Sequence, residues 1–251
     1  MLCCTPAVAQ EKSSKQKKKQ LRRERIDAII RQEEEGVIKY TKHTILGLKA
    51  TSDGFGGFFE IGRAKTTRKA WLFQLEMTER KHPKEIKADF APFQISPIIF
   101  GKANYFYPVK LGVQQQYLLG NKSNKNGVSI TANFGGGISL GLLRPYTIEV
   151  VDGNQLTKVT YYTDSAKFLN TNNYHNNGGF FSGWNAVKVV PGIYIKPALR
   201  FEFGMYNEMV NAIEVGLHAE YYTKEIEQMI FMKQDKFFFG GFVAFAFGRR
   251  K

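Results

Sequence analysis

"GVSITANFGGGISLGLL", residues 127–143, decides the fold. Every second residue belongs to one of two sets. Val128, Ile130, Ala132, Phe134, Gly136, Ile138, Leu140 and Leu142 form an apolar face. Ser129, Thr131, Asn133, Gly135, Gly137, Ser139 and Gly141 form a polar or bare one. A period of two over so long a run specifies a β-strand with two different environments on its two sides.

The same alternation recurs from Tyr40 onward. It sets Leu46, Leu48 and Ala50 against Lys49, and Phe59 and Ile61 against Glu60. Trp71, Phe73, Leu75 and Met77 oppose Gln74, Glu76 and Thr78, and Val109, Leu111 and Val113 oppose Lys110, Gln114 and Gln116. Ile193, Ile195, Leu199 and Phe201 oppose Lys196, Arg200 and Glu202, and Ile213, Val215, Leu217 and Tyr221 oppose Glu214, His218 and Glu220. "FFFGGFVAFAF" (237–247) closes the series. With the opening stretch this predicts eight strands of roughly nine to sixteen residues.

Connection lengths alternate. Short links fall around Lys65–Lys69, at "GNKSNKNG" and at "GMYNE"; long ones run from about Lys81 to Asn104 and from Arg144 to Val190, with a medium one at "TKEIEQMIFMKQDK". Only "SDGF" is tight where a long loop is due. One end with short turns, the other with long loops and an even strand number is the asymmetry of outer-membrane barrels. No apolar run reaches the eighteen or more residues of a membrane-spanning helix.

A soluble lipocalin-like barrel also alternates, so the content of the faces discriminates. The polar face carries Lys49, Glu60, Glu76, Lys110, Lys196, Arg200, Glu202, Glu214, His218 and Glu220 among many glycines. A narrow eight-strand interior needs small residues beside long ones, and buried charges must come in both signs. The apolar face is uninterrupted, and Tyr40, Trp71, Tyr105, Tyr107, Tyr117, Tyr221 and Phe237 suit interfacial girdles. The fold class is therefore all-β, an eight-stranded antiparallel transmembrane up-and-down β-barrel with a short N-terminal helical segment.

Before the barrel lie two other regions. "MLCCTPAVAQ" reads as the remnant of a secretory signal over residues 1–9, with Ala7-Val8-Ala9 as the cleavage site. Cys3 and Cys4 are the only cysteines, so the mature chain is expected to hold neither a disulfide nor a thiolate metal site. Residues 10–39 form a basic tail in which Leu21, Ile26, Ile29 and Ile30 share one side of a marginal amphipathic helix. Its basic first half opposes the helix macrodipole, so it calls for a partner surface. The net charge of +14 permits anionic partners. The tail has no aromatic interleaving and no nucleic-acid motif, which argues against nucleic acid. Lys17, Lys18, Lys19, Arg22 and Arg23 are its candidate contacts, to lipid headgroups or to a periplasmic or outer-membrane protein.

Residues 40–251 resemble the small outer-membrane β-barrel proteins of the OmpA-type eight-strand domain, of the sort common in Bacteroidota. The pattern of "GVSITANFGGGISLGLL", "PGIYIKPALRFEFG" and "KFFFGGFVAFAFG" carries the resemblance. It implies a bacterial outer-membrane location, periplasmic termini and no cofactor. Such barrels usually end on an aromatic residue, whereas this chain continues past Phe247 into Gly248-Arg249-Arg250-Lys251. The peptidoglycan-binding domain of many relatives is absent from this sequence.

No catalytic, cofactor or metal residues are assigned. Glu214 and His218 share a strand face about 13 Å apart, too far for one site, and read as a lumen charge network with Arg200 and Lys196. "NTNNYHNNGGF" (170–180) reads as a disordered surface loop, with a receptor or glycan contact as the alternative. "GGFFEIG" and "FGGGISLG" lack the Lys-Ser/Thr of a phosphate loop. The expected function is a non-enzymatic structural or interaction component of the envelope. The alternatives are a narrow gated channel lined by Lys, Arg and Glu, a soluble lipocalin-like binder and an outer-membrane barrel enzyme.

Overall fold

The computed structural model describes residues 41–66, 68–89, 96–120, 127–153, 155–203 and 209–250. The signal remnant and the helical tail expected over residues 1–39, including Lys17, Lys18, Lys19, Arg22 and Arg23, lie outside the described residues.

Three strands open the chain, β1 (Lys42–Thr51), β2 (Gly54–Thr66) and β3 (Lys69–Arg80). A small pair follows, β4 (Lys87–Ala88) with β5 (Ile98–Ile99). Then come the long strands β6 (Asn104–Gly120) and β7 (Ser129–Pro145). Between β7 and the next long strand stand β8 (Thr147–Asp152), β9 (Gln155–Thr160), the short helix α1 (Ser165–Leu169) and β10 (Tyr174–Asn177). Finally come β11 (Lys188–Glu202), β12 (Met209–Ile226) and β13 (Asp235–Arg250).

Eight of these close into one antiparallel barrel, in the order β1-β13-β12-β11-β7-β6-β3-β2. Each strand pairs with its successor along the barrel, and β13 returns to β1 from His43↔Arg250 to Thr51↔Phe242. Closure leaves no sheet edge, so the ladders satisfy the backbone polar groups within the wall.

The register is legible on the outer face. One row of paired residues runs Tyr221–Ile193–Ile138–Leu111–Leu75–Phe59–Leu46–Phe247 across all eight strands. All eight are apolar or aromatic, and all are exposed. The row leaves β13 at Phe237, the partner of Tyr221, and returns to it at Phe247, a stagger of ten residues. That stagger is the shear that tilts the strands and fixes the barrel's bore. The polar set points inward and is buried. This inside-out distribution excludes the lipocalin-like alternative, which needs its apolar face inside.

The bore is narrow, and inward glycines make room for inward rings. A Cβ at Gly47 would meet the Phe58 ring at 2.3 Å, and one at Gly112 would meet the Tyr194 hydroxyl at 2.4 Å and the Gly136 carbonyl at 2.5 Å.

At the end away from the termini, β8, β9 and β10 form a three-stranded sheet in the order β10-β8-β9. Residues 170–180 were expected to be a disordered loop. Instead they include a 3-10 turn at Thr171–Asn173 and strand β10. The physical reason is a second apolar core, built from Ile98, Ile99, Tyr146, Ile148, Val150, Val159, Phe168, Tyr174 and Met229. It gathers residues from three connections, none of which shows strong periodicity alone.

Candidate functional site

The lumen is the densest cluster of chemically active groups. Its side chains come from every barrel strand because each strand places its even or odd set inside. They sort into two groups along the barrel axis.

The group toward the long-loop end centres on Glu76 and Glu220. Lys49 donates to both Glu76 oxygens at 2.8 Å. Lys110 bridges Glu76 at 3.0 Å and Glu220 at 2.7 Å. Arg80 reaches Glu220 at 2.8 Å and, through Nε, Asp53 at 2.5 Å. The Tyr222 hydroxyl donates to Glu220 at 2.7 Å and contacts the Ser139 hydroxyl at 2.8 Å.

The group toward the termini centres on Arg200. Its guanidinium meets Glu60 with two bonds of 2.7 and 2.8 Å and Glu214 at 2.6 Å. Lys196 sits 3.0 Å from Glu214 and donates to Gln74 at 2.8 Å. Asn133 donates to Glu214 at 3.1 Å, and His43 Nε2 lies 3.2 Å from Glu60.

Aromatic rings fill what the ion pairs leave. Lys49 and Lys196 lie 3.9 and 5.1 Å from the Phe242 ring centre, so one ring separates the two groups. Phe106, Tyr222 and Phe238 stack edge to face or tilted at the long-loop mouth, with Arg80 over Phe238 at 4.9 Å. Inside the wall Lys49, Lys110, Lys196, Arg200 and Arg80 face Glu60, Glu76, Glu214 and Glu220, all at most 4% exposed. Asp53 adds a further carboxylate at the mouth.

Two placements differ from the sequence reading. His218 joins neither Glu214 nor the Arg200–Lys196 group. Its Nε2 accepts from Arg80 at 2.9 Å, because β12 carries it some four residues further along the axis than Glu214. Glu202 is buried at the terminus end and pairs with Arg250, apart from both groups. The alternating run "FFFGGFVAFAF" ends at Phe247, yet β13 runs on to Arg250 and its inward set includes that residue. Arg80, His43, Asn133 and Tyr222 were missed as members. Arg80 and His43 simply extend the inward parity of Glu76 and Lys49.

The lumen charges are paired with one another, while Gln74 Nε2, Asn133 Oδ1 and His218 Nδ1 make no hydrogen bond among the described residues. Each carboxylate named holds one or more cations. Ser139 touches only a tyrosine, not a histidine, and is fully buried. Among the described residues no three His, Cys, Asp or Glu groups converge on a metal position.

The long-loop end offers a second candidate surface. Arg144, at 2% exposure, reaches outward between Tyr105, Tyr107, Phe180 and Trp184, with ring centres 4.2 to 5.6 Å from its guanidinium. It donates to the carbonyls of Phe180 and Ser182 and to the Tyr107 hydroxyl. It thus pins the 178–184 segment to the barrel rim. Beside it a cleft of about 350 Å³ is lined by Glu79, Lys81, Glu85, Lys87, Asn177 and Phe180, among others. Burial raises the Tyr146 and Tyr174 hydroxyls in this module, Tyr174 to about 12. Burial lowers Lys102, against the pull of Glu85 at 2.7 Å.

No protein-family model matches the sequence, and no curated protein matches it either. Solved structures do. Neisserial surface protein A is 9% identical, over 84% of this chain and 96% of that one, with a TM-score of 0.38. The N-terminal β-barrel domain of Pseudomonas aeruginosa OprF is 11% identical, over 83% and 98%, with a TM-score of 0.35. Ail, the attachment invasion locus protein of Yersinia pestis, is 9% identical, over 85% and 100%, with a TM-score of 0.38.

Proposed function

We propose that this chain is an integral outer-membrane barrel that serves as a non-enzymatic structural or interaction component of the bacterial envelope. Both termini face the periplasm, and the long-loop module faces outward. The observation that carries this reading is the unbroken apolar row around all eight strands, wrapped about a buried polar lumen. Monomeric soluble proteins rarely expose contiguous apolar patches larger than a few hundred Å². In hydrocarbon the same belt is the favourable surface, and closure removes the backbone cost.

The packed lumen supports an anchoring role over conduction. Water or ions would have to displace paired charges and stacked rings along the whole axis. Interaction is then left to the loop module and to the basic tail, whose Lys17, Lys18, Lys19, Arg22 and Arg23 are suited to a periplasmic or outer-membrane partner. The test is gel mobility of the protein from the membrane fraction, boiled against unboiled, with outer-membrane fractionation. A heat-dependent shift is expected. A soluble protein without a shift would overturn the reading. Single-channel steps in planar bilayers would replace anchoring with conduction.

A further inference from the structure

The outer face changes character at the end of the barrel that carries the termini, and among the described residues it does so on one side only. Along β13, β1, β2 and β3, which are consecutive around the wall, the outward apolar residues give way to Arg249, Lys42, Arg63 and Lys69. The register places these cations side by side. Lys42 pairs directly with Arg63, Arg249 pairs with Thr44 two residues from Lys42, and Arg63 pairs with Trp71 two residues from Lys69. Direct cross-strand partners lie roughly 5 Å apart and diagonal ones about 7–8 Å. Lys65 and Arg68 extend the patch at the β2–β3 turn, and all six are exposed.

Among the described residues no salt bridge joins a carboxylate to any of the six, and Glu60 and Glu202, toward this end of β2 and β11, are buried inside and pair with Arg200 and Arg250. Six exposed like charges along half of the rim repel one another unless anions neutralise them. The other four strands present Leu119, Val128, Phe203 and Met209 at this end. Met209 pairs with Arg249 and so marks one border of the patch. Tyr117 marks the other, with Lys69 Nζ 5.4 Å from its ring centre.

We infer that this crescent is a docking site for anionic phospholipid headgroups in the leaflet facing the chain termini. The position decides the occupant. The cations begin one pleat below Trp71, Phe247 and Ile61, where an apolar belt ends and headgroup phosphates begin. Phosphates at that level meet Lys and Arg on half the circumference and apolar side chains on the other half. The barrel therefore carries a lopsided lipid annulus. The inference rests on the membrane reading above.

Trp71 is the natural reporter, being outward, 41% exposed and the cross-strand partner of Arg63. The chain has two tryptophans. In the full chain bearing Trp184→Phe, Trp71 fluorescence would be read in vesicles of phosphatidylcholine doped with acyl-brominated phosphatidylglycerol or acyl-brominated phosphatidylcholine. The expected result is a relative binding preference of about fivefold for the anionic lipid, the worth of one basic residue at an anionic surface. It should shrink as salt rises. It should vanish when Lys42, Arg63, Lys69 and Arg249 are all changed to Gln, and survive when Lys17, Lys18, Lys19, Arg22 and Arg23 are. Equal quenching by both lipids in the parent protein, a preference insensitive to salt, or a preference lost only in the tail variant would each overturn the inference while leaving the membrane reading intact. Quenching by neither lipid would remove the membrane reading itself.

Discussion

Arg200→Met is the sharpest probe of the lumen. Arg200 is 1% exposed and holds two carboxylates at once, with four contacts between 2.6 and 2.8 Å. Glu214 keeps Lys196 at 3.0 Å after the change, so the loss falls chiefly on Glu60. Its remaining close partner is His43 at 3.2 Å. Removing one member of a buried ion pair costs about 3–5 kcal/mol, because the survivor stays desolvated. Arg200→Met should therefore lower stability by about that much in urea unfolding from lipid vesicles, followed by tryptophan fluorescence and by the gel shift. Adding Glu60→Gln removes the stranded charge while leaving Glu214 with Lys196. The double variant should regain most of the loss, since replacing a whole buried pair is often nearly neutral. A loss below about 1 kcal/mol, the range of solvent-exposed pairs, would refute the reasoning. It would mean that water screens the lumen charges, and the conducting alternative would return.

Three further perturbations bear on other parts of the wall and loops. Ile138→Arg, in the middle of the outer row and 53% exposed, should cost about 2–4 kcal/mol in vesicles if that position lies at mid-bilayer, and almost nothing if it faces water; urea refolding distinguishes them. Gly112→Val should prevent barrel closure, seen as loss of the heat-dependent gel shift, because the backbone carbonyl of Gly136 lies 2.5 Å from the new Cβ and cannot yield as a flexible side chain can. The loop module should loosen in alkali: Tyr174 ionises near 12 when folded and near 10 when unfolded, so the unfolded form binds fewer protons across that window and stability falls as pH rises through it. Limited proteolysis between β7 and β11 at rising pH should show the loosening before the barrel unfolds, and Tyr174→Phe should suppress that part of it.

The barrel was legible because a strand with different solvents on its two sides must alternate. "TANFGGGISLG" announces both faces within a dozen residues, and Glu76, Lys110 and Lys196 reveal their side by parity alone. Parity could not say which lumen groups meet, since that depends on shear. His218 and Glu214 share a face of β12, yet the ten-residue stagger carries them to different groups, one beside Arg80 of β3 and the other beside Arg200 of β11. The loop module was illegible for a different reason. Its core draws Ile98 from one connection, Tyr146 and Phe168 from a second and Met229 from a third, and none of the three encodes a period of its own.

That module changes what the long-loop end of the barrel can do. A long connection without internal structure would lose conformational entropy with every contact it made, at about 1–2 kcal/mol per residue fixed. Here much of that ordering is already complete. The Tyr146 hydroxyl accepts the Ile99 amide at 3.0 Å, tying one connection to another. Arg144 holds the carbonyls of Phe180 and Ser182 against the rim. The residues left on the outside of this ordered frame include Phe181, 90% exposed, with Phe180 edge to face against it. Aromatic side chains on a preformed surface carry more binding energy per contact than the same side chains on a flexible loop, because less freedom is lost on association. Arg144→Met should therefore act at a distance. It should leave the urea stability of the barrel nearly unchanged while speeding amide exchange at residues 178–184. Unchanged exchange there would show that the apolar core, and not the arginine, orders the segment.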